Sequence, residues 1–560
     1  MDADQERLSR RDFLQLGGLT ALSLPAVQKV GRLGGDDLLS SPGMYGGFLV
    51  RTLSKDDPPI EVDDTRYERF DSTNVIFSRI MWDEEYIAQV ESTEKVFKAS
   101  DPGYSHIDVA LSGAANFCGG FEGTNSPLTG LHAGLLSLNP AVLTKPGVHY
   151  EGKWDHGHLT AEEVSEVVKK AALFLGASLV GIAPLNKRWI YSKAYDMMIG
   201  GAASIEFKEV EVPELPDGKV CLQEAGKTIK QEMARLEGSQ IKEMVIEVLE
   251  NTDPDLLPPD VPPVAMAKML PAGQFRENIS TFTRLPAAVL DVFAEKLNLD
   301  FEIADVDLGE SATPRYLEDH TLAIPETMTN VIVLAFEMDY QSLEAAPTIQ
   351  GDIATMDGYS KMAVTAGALA KFIRGLGYHA IPCGNNTGIS VPQAVEAGLG
   401  EGGRNGLLIT PKYGPRVRLA KVITDLPLAP DRPIRFGVKE FCEVCKKCAE
   451  LCPTQAISYE GRTMEPTTIS SNPGVKKWSV HAEKCYLGWT ANGSGCGQCV
   501  RVCPFNKPEG WLHEATSILI GAKSGSLDRL LVNLDDASGY GEAQPSFDFW
   551  ESKQYIHIQD

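Results

Sequence analysis

Two cysteine runs between residues 442 and 504 constrain this 560-residue chain more than any other feature of it. The first reads Cys442-x2-Cys445-x2-Cys448-x3-Cys452-Pro453, and the second Cys485-x10-Cys496-x2-Cys499-x3-Cys503-Pro504. Thiolate is a soft ligand, and in the C-x2-C-x2-C-x3-C-P spacing three close cysteines hold one cubane while the fourth reaches its neighbour. The spacing therefore predicts crossed ligation, with one [4Fe-4S] cluster on Cys442, Cys445, Cys448 and Cys503 and a second on Cys485, Cys496, Cys499 and Cys452. Structural zinc sites and disulfides are the rival uses of eight thiols, and neither accounts for two x3-C-P endings. Electrons pass through such a chain, and the remaining residues have to give them a destination. Cys118, Cys221 and Cys383 are scattered, show no disulfide framework, and are expected as buried free thiols.

The length implies two or three packed units rather than one core. The formal charge of -24 argues against a nucleic-acid partner, because a polyphosphate is bound by Lys and Arg. Near the start, Ser9-Arg10-Arg11-Asp12-Phe13-Leu14 precedes a weakly apolar stretch over 16–27 that is too short to cross a bilayer, the form of a twin-arginine export signal. That route carries folded proteins, which suits cofactors inserted in the cytoplasm. No small-x-small cleavage site follows. The next most apolar stretch, 171–185, is broken by Gly176, Gly181 and Pro184, so no transmembrane span is expected and any membrane attachment falls to a partner.

Residues 45–160 mix aromatic and turn residues without a clear period. Thr160 with Glu162 and Glu163 opens a helix that leads into an apolar strand over 178–183. Residues 209–271 turn polar and Pro-rich around a helical middle at 227–250, reading as an excursion. Beyond Thr329 the pattern sharpens: NVIVLAF at 330–336 is a continuous apolar strand, and Met362, Ala366, Leu369, Ile373 and Leu376 form one helical stripe closed by Gly377. A strand over 378–381 follows, and Ser390-x-x-Gln393 predicts a capping box for the next helix. The run Gly398-Leu-Gly400-Glu-Gly-Gly403 matches G-x-G-x-x-G, but it follows a helix rather than a strand and cannot seat a pyrophosphate.

The stretches MDGYSKMAVTA (356–366), FIRGLGYHAIPCGN (372–385), AGLGE (397–401), RNGLLITP (404–411), GPRVR (414–418) and VITDLP (422–427) resemble the corrinoid-dependent reductive dehalogenases. The resemblance takes in the twin-arginine start and the cysteine runs, and is loose between residues 45 and 330. It implies an α+β fold, a nitroreductase-like corrinoid-binding core joined to a ferredoxin-like domain with two iron-sulfur clusters. The divisions expected are a signal and N-terminal segment (1–44), an N-terminal region (45–160), the corrinoid core (161–435) with an insertion at about 193–328, the two-cluster domain (436–510) and a C-terminal extension (511–560).

The resemblance further implies a base-off cobalamin whose cobalt is reduced through the clusters, with Tyr359 as proton donor, Asn385 as its support and Arg418 as the basic residue beside it. Arg416 is the rival for that last role. A tyrosine is by itself a weak acid, and a guanidinium favours its phenolate without losing its own charge. Corrinoid contacts are expected from Asn385, Asn386, Gly398, Gly400 and Arg404. The D-x-H-x-x-G motif that supplies a cobalt ligand elsewhere is absent; WDHGH at 154–158 does not match it. Trp478, Tyr486 and Trp489 are candidate pocket linings or core. The expected activity is replacement of halogen by hydrogen, or vicinal elimination, on a small organohalide. The expected setting is the outer face of the cytoplasmic membrane, with a small integral-membrane anchor protein and a respiratory electron donor as partners. The alternatives are an epoxyqueuosine reductase-like enzyme acting on tRNA, against which the acidic charge counts, and a plain iron-sulfur electron carrier, for which the chain is too long.

Overall fold

A continuous apolar strand must be covered on both faces, and residues 331–336 are buried without a break. The computed structural model describes residues 43–551, apart from 46–47, 55, 96, 99–100, 102–103, 117–153, 155, 197–198, 211–214, 254–263, 278–284, 305–312, 318, 508–524 and 538. Arg10, Arg11, the export segment and Cys118 lie outside the described residues. The architecture is α+β, and its centre is a four-stranded antiparallel sheet. The strands are β1 (Leu179–Pro184), β2 (Asn330–Glu337), β3 (Ala380–Cys383) and β4 (Val417–Thr424), in the order β3-β4-β2-β1. Phe336 stands opposite Arg418, and Cys383 opposite Lys421.

Alternation along the strands divides the core in two. Ile332, Leu334, Phe336, Ala420 and Val422 face one layer with Val164, Val168 and Ala172 of helix α1 (Ala161–Phe174) and Met362, Ala366, Leu369 and Ile373 of helix α2 (Ile349–Gly375). Val331, Val333, Leu419 and Ile423 face the other, with Ala394 and Val395 of helix α3 (Ser390–Glu396) and a smaller mixed sheet that includes Gly201–Lys208 and Leu322–Pro325. Each fully buried Val, Leu or Ile contributes roughly 1.5–3 kcal/mol, so these layers fix the scaffold.

Thr160 caps α1 as expected, and Glu163 completes a capping box with it. Helix α2 begins at Ile349, well before its apolar stripe, and Gly377 ends it at a φ of 82°. The strand expected over 378–381 runs instead over Ala380–Cys383, because His379 turns aside to Asp425. The second capping box does not form: α3 starts after Ile389 with no side-chain cap. Ser390 Oγ turns to Asn385 Oδ1 (3.1 Å) and to the buried Lys421 ammonium (2.8 Å), while Gln393 reaches back to the Trp189 carbonyl. The excursion after residue 209 is more helical than its polar composition suggests. Leu222–Met233, Gly238–Asn251 and Ala287–Lys296 enclose a core of their own around Ile229, Val245 and Phe293.

Residues 441–506 carry most of helix α4 (Val438–Cys445), which packs on the Glu401–Gly402 strand, and helix α5 (Ala482–Asn492), which packs on Glu84–Thr93; helix α6 (Gly525–Ala537) packs on α4. Among the described residues, no helix is long and apolar enough to cross a membrane. Gly181 shows how tightly the sheet is covered: a Cβ there would overlap the Ala397 carbonyl that follows α3. Gly181→Val should lower stability by about 3 kcal/mol, seen as a fall in the thermal midpoint of the purified protein.

Candidate active site

The period of two along β4 turns Arg418 toward α2, where its guanidinium carbon lies 4.5 Å from the centre of the Tyr359 ring. Gly358 makes this possible, since a Cβ there would stand 2.6 Å from Arg418 Cγ. Arg418 Nε is buried without a hydrogen-bond partner. Cation over ring is the geometry in which the two groups attract while the tyrosine hydroxyl remains free to point elsewhere. Arg416, the rival, is committed to structure. It pairs with Glu337 at 2.8 Å, lies 5.5 Å from the rings of both Tyr340 and Tyr413, and is 3% exposed.

Asn385 and Asn386 follow the end of β3. Continuing the β3–β4 register past its paired end brings them level with Leu419 and Arg418. Asn385 is exposed, and its loop is tied from beneath by Lys421, whose ammonium donates to the carbonyls of Gly384 and Gly388 and to Ser390 Oγ. Lys421 is 1% exposed and was not legible as a functional residue, since one lysine in an apolar strand carries no motif. Gly398, Gly400 and Arg404, the other residues expected at a corrinoid, are closely packed. A Cβ on Gly400 would overlap the Ile409 carbonyl, one on Gly398 (φ 74°) would strike that of Arg432, and Arg404 is buried against the first cysteine run.

The eight cysteines lie in two neighbouring groups. Cys442, Cys445, Cys448 and Cys503 line one pocket together with Arg404, Asn405 and Lys446. Cys452, Cys485, Cys496 and Cys499 are mutual electrostatic neighbours, and Cys499 also senses Cys448, so the two sets adjoin. Burial pushes the Cys442, Cys499 and Cys503 thiols far up, Cys445 up to about 12, and Cys448 and Cys485 up to about 11. Thiols so placed lose their protons only to a cation that replaces their lost hydration, which iron does. Cys452 is held low: burial raises it, but the Ala456 N–H (3.3 Å) and the Thr454 hydroxyl outweigh that. The pocket and the chemistry of its donors thus fit an iron-sulfur cluster.

A buried carboxylate organises the helix beneath the first set. Glu401 is 2% exposed and accepts the N–H groups of Phe436, Gly437 and Val438 at 2.7, 3.1 and 3.2 Å, closing the N-terminus of α4. Burial raises the Glu401 carboxyl against the pull of those donors.

The second set adjoins α2, the helix that carries Tyr359. Asp352, two turns before Tyr359 on α2, is hydrogen-bonded by the Gly495 N–H and senses both Arg418 and Cys496; burial raises its carboxyl. Cys499 packs in a small apolar cluster with Ala354 of α2. Contacts from the N-terminal region, which the sequence left unread, close the other side. Arg79 pairs with Glu483, the Tyr104 hydroxyl donates to the Asn492 carbonyl, and Phe77 stands edge-on to Tyr486 at 5.5 Å and beside Trp489 at 5.8 Å. Trp478 belongs to core instead. It is 3% exposed, between the guanidinium groups of Arg404 (5.2 Å) and Arg462 (5.7 Å).

Residues 441–506 match the family model described as a 4Fe-4S double cluster binding domain. The chain is 34% identical over 497 residues to a tetrachloroethene reductive dehalogenase of Desulfitobacterium hafniense, covering 82% of this chain and 74% of that one. It is 45% identical over 235 residues to a tetrachloroethene reductive dehalogenase of Sulfurospirillum multivorans, 42% of this chain and 47% of that one. Among solved structures, a catabolic reductive dehalogenase in complex with 3-bromo-4-hydroxybenzoic acid matches in fold. Its TM-score is 0.51 at 18% identity, over 88% of this chain and 50% of that one, so the chain spans about half the length of this structure.

Removing the acceptor of three buried N–H groups leaves them unpaired. Glu401→Ala should cost about 3 kcal/mol and loosen α4, read as a lower thermal midpoint and as iron lost preferentially from the first cysteine set after reconstitution.

Proposed function

Since the chain belongs to the corrinoid-dependent reductive dehalogenases, we propose that it replaces halogen by hydrogen, or removes vicinal halogens, on a small organohalide, with a base-off cobalamin and two [4Fe-4S] clusters as its cofactors. The observation that carries this reading is the Arg418 guanidinium lying 4.5 Å over the Tyr359 ring, on a helix whose Asp352 reaches the loop of the second cysteine set. When bound, the reduced corrinoid supplies the electrons that break the carbon–halogen bond. Tyr359 then delivers its hydroxyl proton to the carbon the halide has left, and Arg418 balances the charge remaining on the phenolate oxygen. The guanidinium does this without a proton of its own in play. Asn385 and Asn386, at the open end of β3, would hold the polar rim of the corrinoid and of the substrate pocket.

The cysteines are proposed to ligate in the crossed sets, Cys442, Cys445, Cys448 and Cys503 on one cluster and Cys452, Cys485, Cys496 and Cys499 on the other. The second would then lie nearer the Tyr359 site, as the contact between Gly495 and Asp352 supports. The Arg10–Arg11 pair supports export by the twin-arginine route to the outer face of the cytoplasmic membrane. There a small membrane anchor protein and a respiratory donor would complete the pathway. The tetrachloroethene reductases among the relatives make a chlorinated ethene the first substrate to test.

Reconstituted protein should hold cobalt and iron in a ratio of about one to eight, two four-iron clusters for each corrinoid. Tyr359→Phe should keep both metals at that ratio and lose at least about 100-fold in dehalogenation of a chlorinated ethene. Full activity in that variant would remove Tyr359 as the donor. Gly358→Val, which drives Arg418 off the ring, should lower turnover similarly with the metals retained.

A further inference from the structure

Arg404 is the most completely buried charge at the first cysteine set, 1% exposed, and its fork is only partly used. Nε donates to the Cys442 carbonyl at 3.0 Å, and Nη1 to the Ser458 and Glu460 carbonyls at 2.8 and 2.9 Å. Nη2 is buried and has no hydrogen-bond partner; the nearest carboxylate, on the half-exposed Glu443, is 3.9 Å away. A guanidinium presents Nε–H and one Nη2–H in parallel along one edge. With Nε–H ending on Cys442, the free Nη2–H is directed along the same wall. Arg404, Cys442, Cys445, Cys448 and Cys503 share the pocket that this wall encloses. The remaining lining is largely apolar, including Ile409, Phe441 and Phe505, and Asn405 and Lys446 are its other polar side chains. An unused donor in such a place is costly unless something accepts from it.

We propose that Arg404 tunes the redox potential of the first cluster, its Nη2–H bonding to a cluster sulfur and its charge favouring the reduced form. Reduction adds one electron, hence one negative charge, to a group whose potential responds to hydrogen bonds at sulfur and to nearby charge. A fixed cation stabilises that charge, and an N–H donor bonds more strongly to the richer sulfur. The side chain thus acts on the cluster by electrostatics, while its three carbonyl bonds keep it in place. This assignment rests on the proposed ligation by Cys442, Cys445, Cys448 and Cys503, and it differs from the corrinoid contact that sequence suggested for Arg404.

The test is an EPR-monitored redox titration of reconstituted protein, with the first cluster's signal identified by its loss in Cys445→Ser. Arg404→Gln removes charge and fork and should move the first cluster's midpoint to more negative potential by about 59 mV or more, a tenfold loss in the reduction equilibrium of a one-electron couple. The second cluster should stay unmoved as an internal reference. Arg404→Lys keeps the charge but not the parallel N–H edge and should give a smaller shift in the same direction. An unmoved first midpoint in either variant at full iron content, or an equal shift of both clusters, overturns the proposal. So does failure of both variants to load the first cluster while the second loads normally, because Arg404 would then serve assembly. Wild-type protein that binds fewer than about eight irons would instead sink the ligation reading itself.

Discussion

A lysine ammonium withdrawn from water must be given acceptors, and those taken by Lys421 determine how the candidate site is held. Left unpaired, the charge would cost several kcal/mol. Lys421 meets that demand with the Gly384 and Gly388 carbonyls and Ser390 Oγ, which fastens both ends of the loop bearing Asn385 and Asn386. Ser390 then donates to Asn385 Oδ1, so the side chain that sequence places in a capping box is drawn into the loop instead. Arg418 stands three residues earlier on the same strand and so faces the opposite layer, against Tyr359. One strand positions the tyrosine's partner on one face and anchors the asparagine loop on the other.

What the sequence revealed, and what it hid, divides along the range of the interactions involved. Periodicity and capping residues are local, and they exposed the β2 strand, the stripe of α2 and the Thr160 N-cap. Cysteine spacing is local as well, and the thiols it groups lie near one another in the fold. Resemblance in short motifs brought Tyr359 and Arg418 to notice, but period alone does not separate Arg418 from Arg416, since both have the same parity. Their separation comes from Glu337, Tyr340 and Tyr413, which draw Arg416 out of the strand's pattern.

The N-terminal region was unreadable for the complementary reason. Its contacts pair Arg66 with Glu465 and Arg79 with Glu483, and set Phe97 against Gly493, each across several hundred residues of chain. Such pairs leave no mark in either local sequence. The insertion misled differently. Prolines and charges dominate its composition, yet Ile229, Ile241, Val245, Val248 and Phe293 are spaced to build a helical core beneath them. Gly398 and Gly400 are explained by close packing against Arg432 and Ile409, which is why a glycine-rich run follows a helix here without seating a phosphate.

The two cysteine sets sit in different electrostatic surroundings, and this difference follows from which parts of the chain close over them. The second set adjoins α2 and a carboxylate, Asp352, that also senses Arg418. The first is covered by Phe436, Phe441, Phe505 and Leu531, the last supplied by α6. Helix α6 is fastened there by Asp535, which Lys447 and Lys507 share, with Asp536 as a further partner for Lys447. Those charges largely offset one another, so the cover excludes water without adding a strong field of its own. Arg404 is different, because three of its acceptors are neutral carbonyls and its nearest carboxylate stands 3.9 Å away. In a pocket kept dry, a charge compensated mainly by dipoles acts more strongly than the same charge in water. The C-terminal helix and the buried guanidinium are therefore parts of one arrangement: the helix lowers the dielectric, and Arg404 supplies the field.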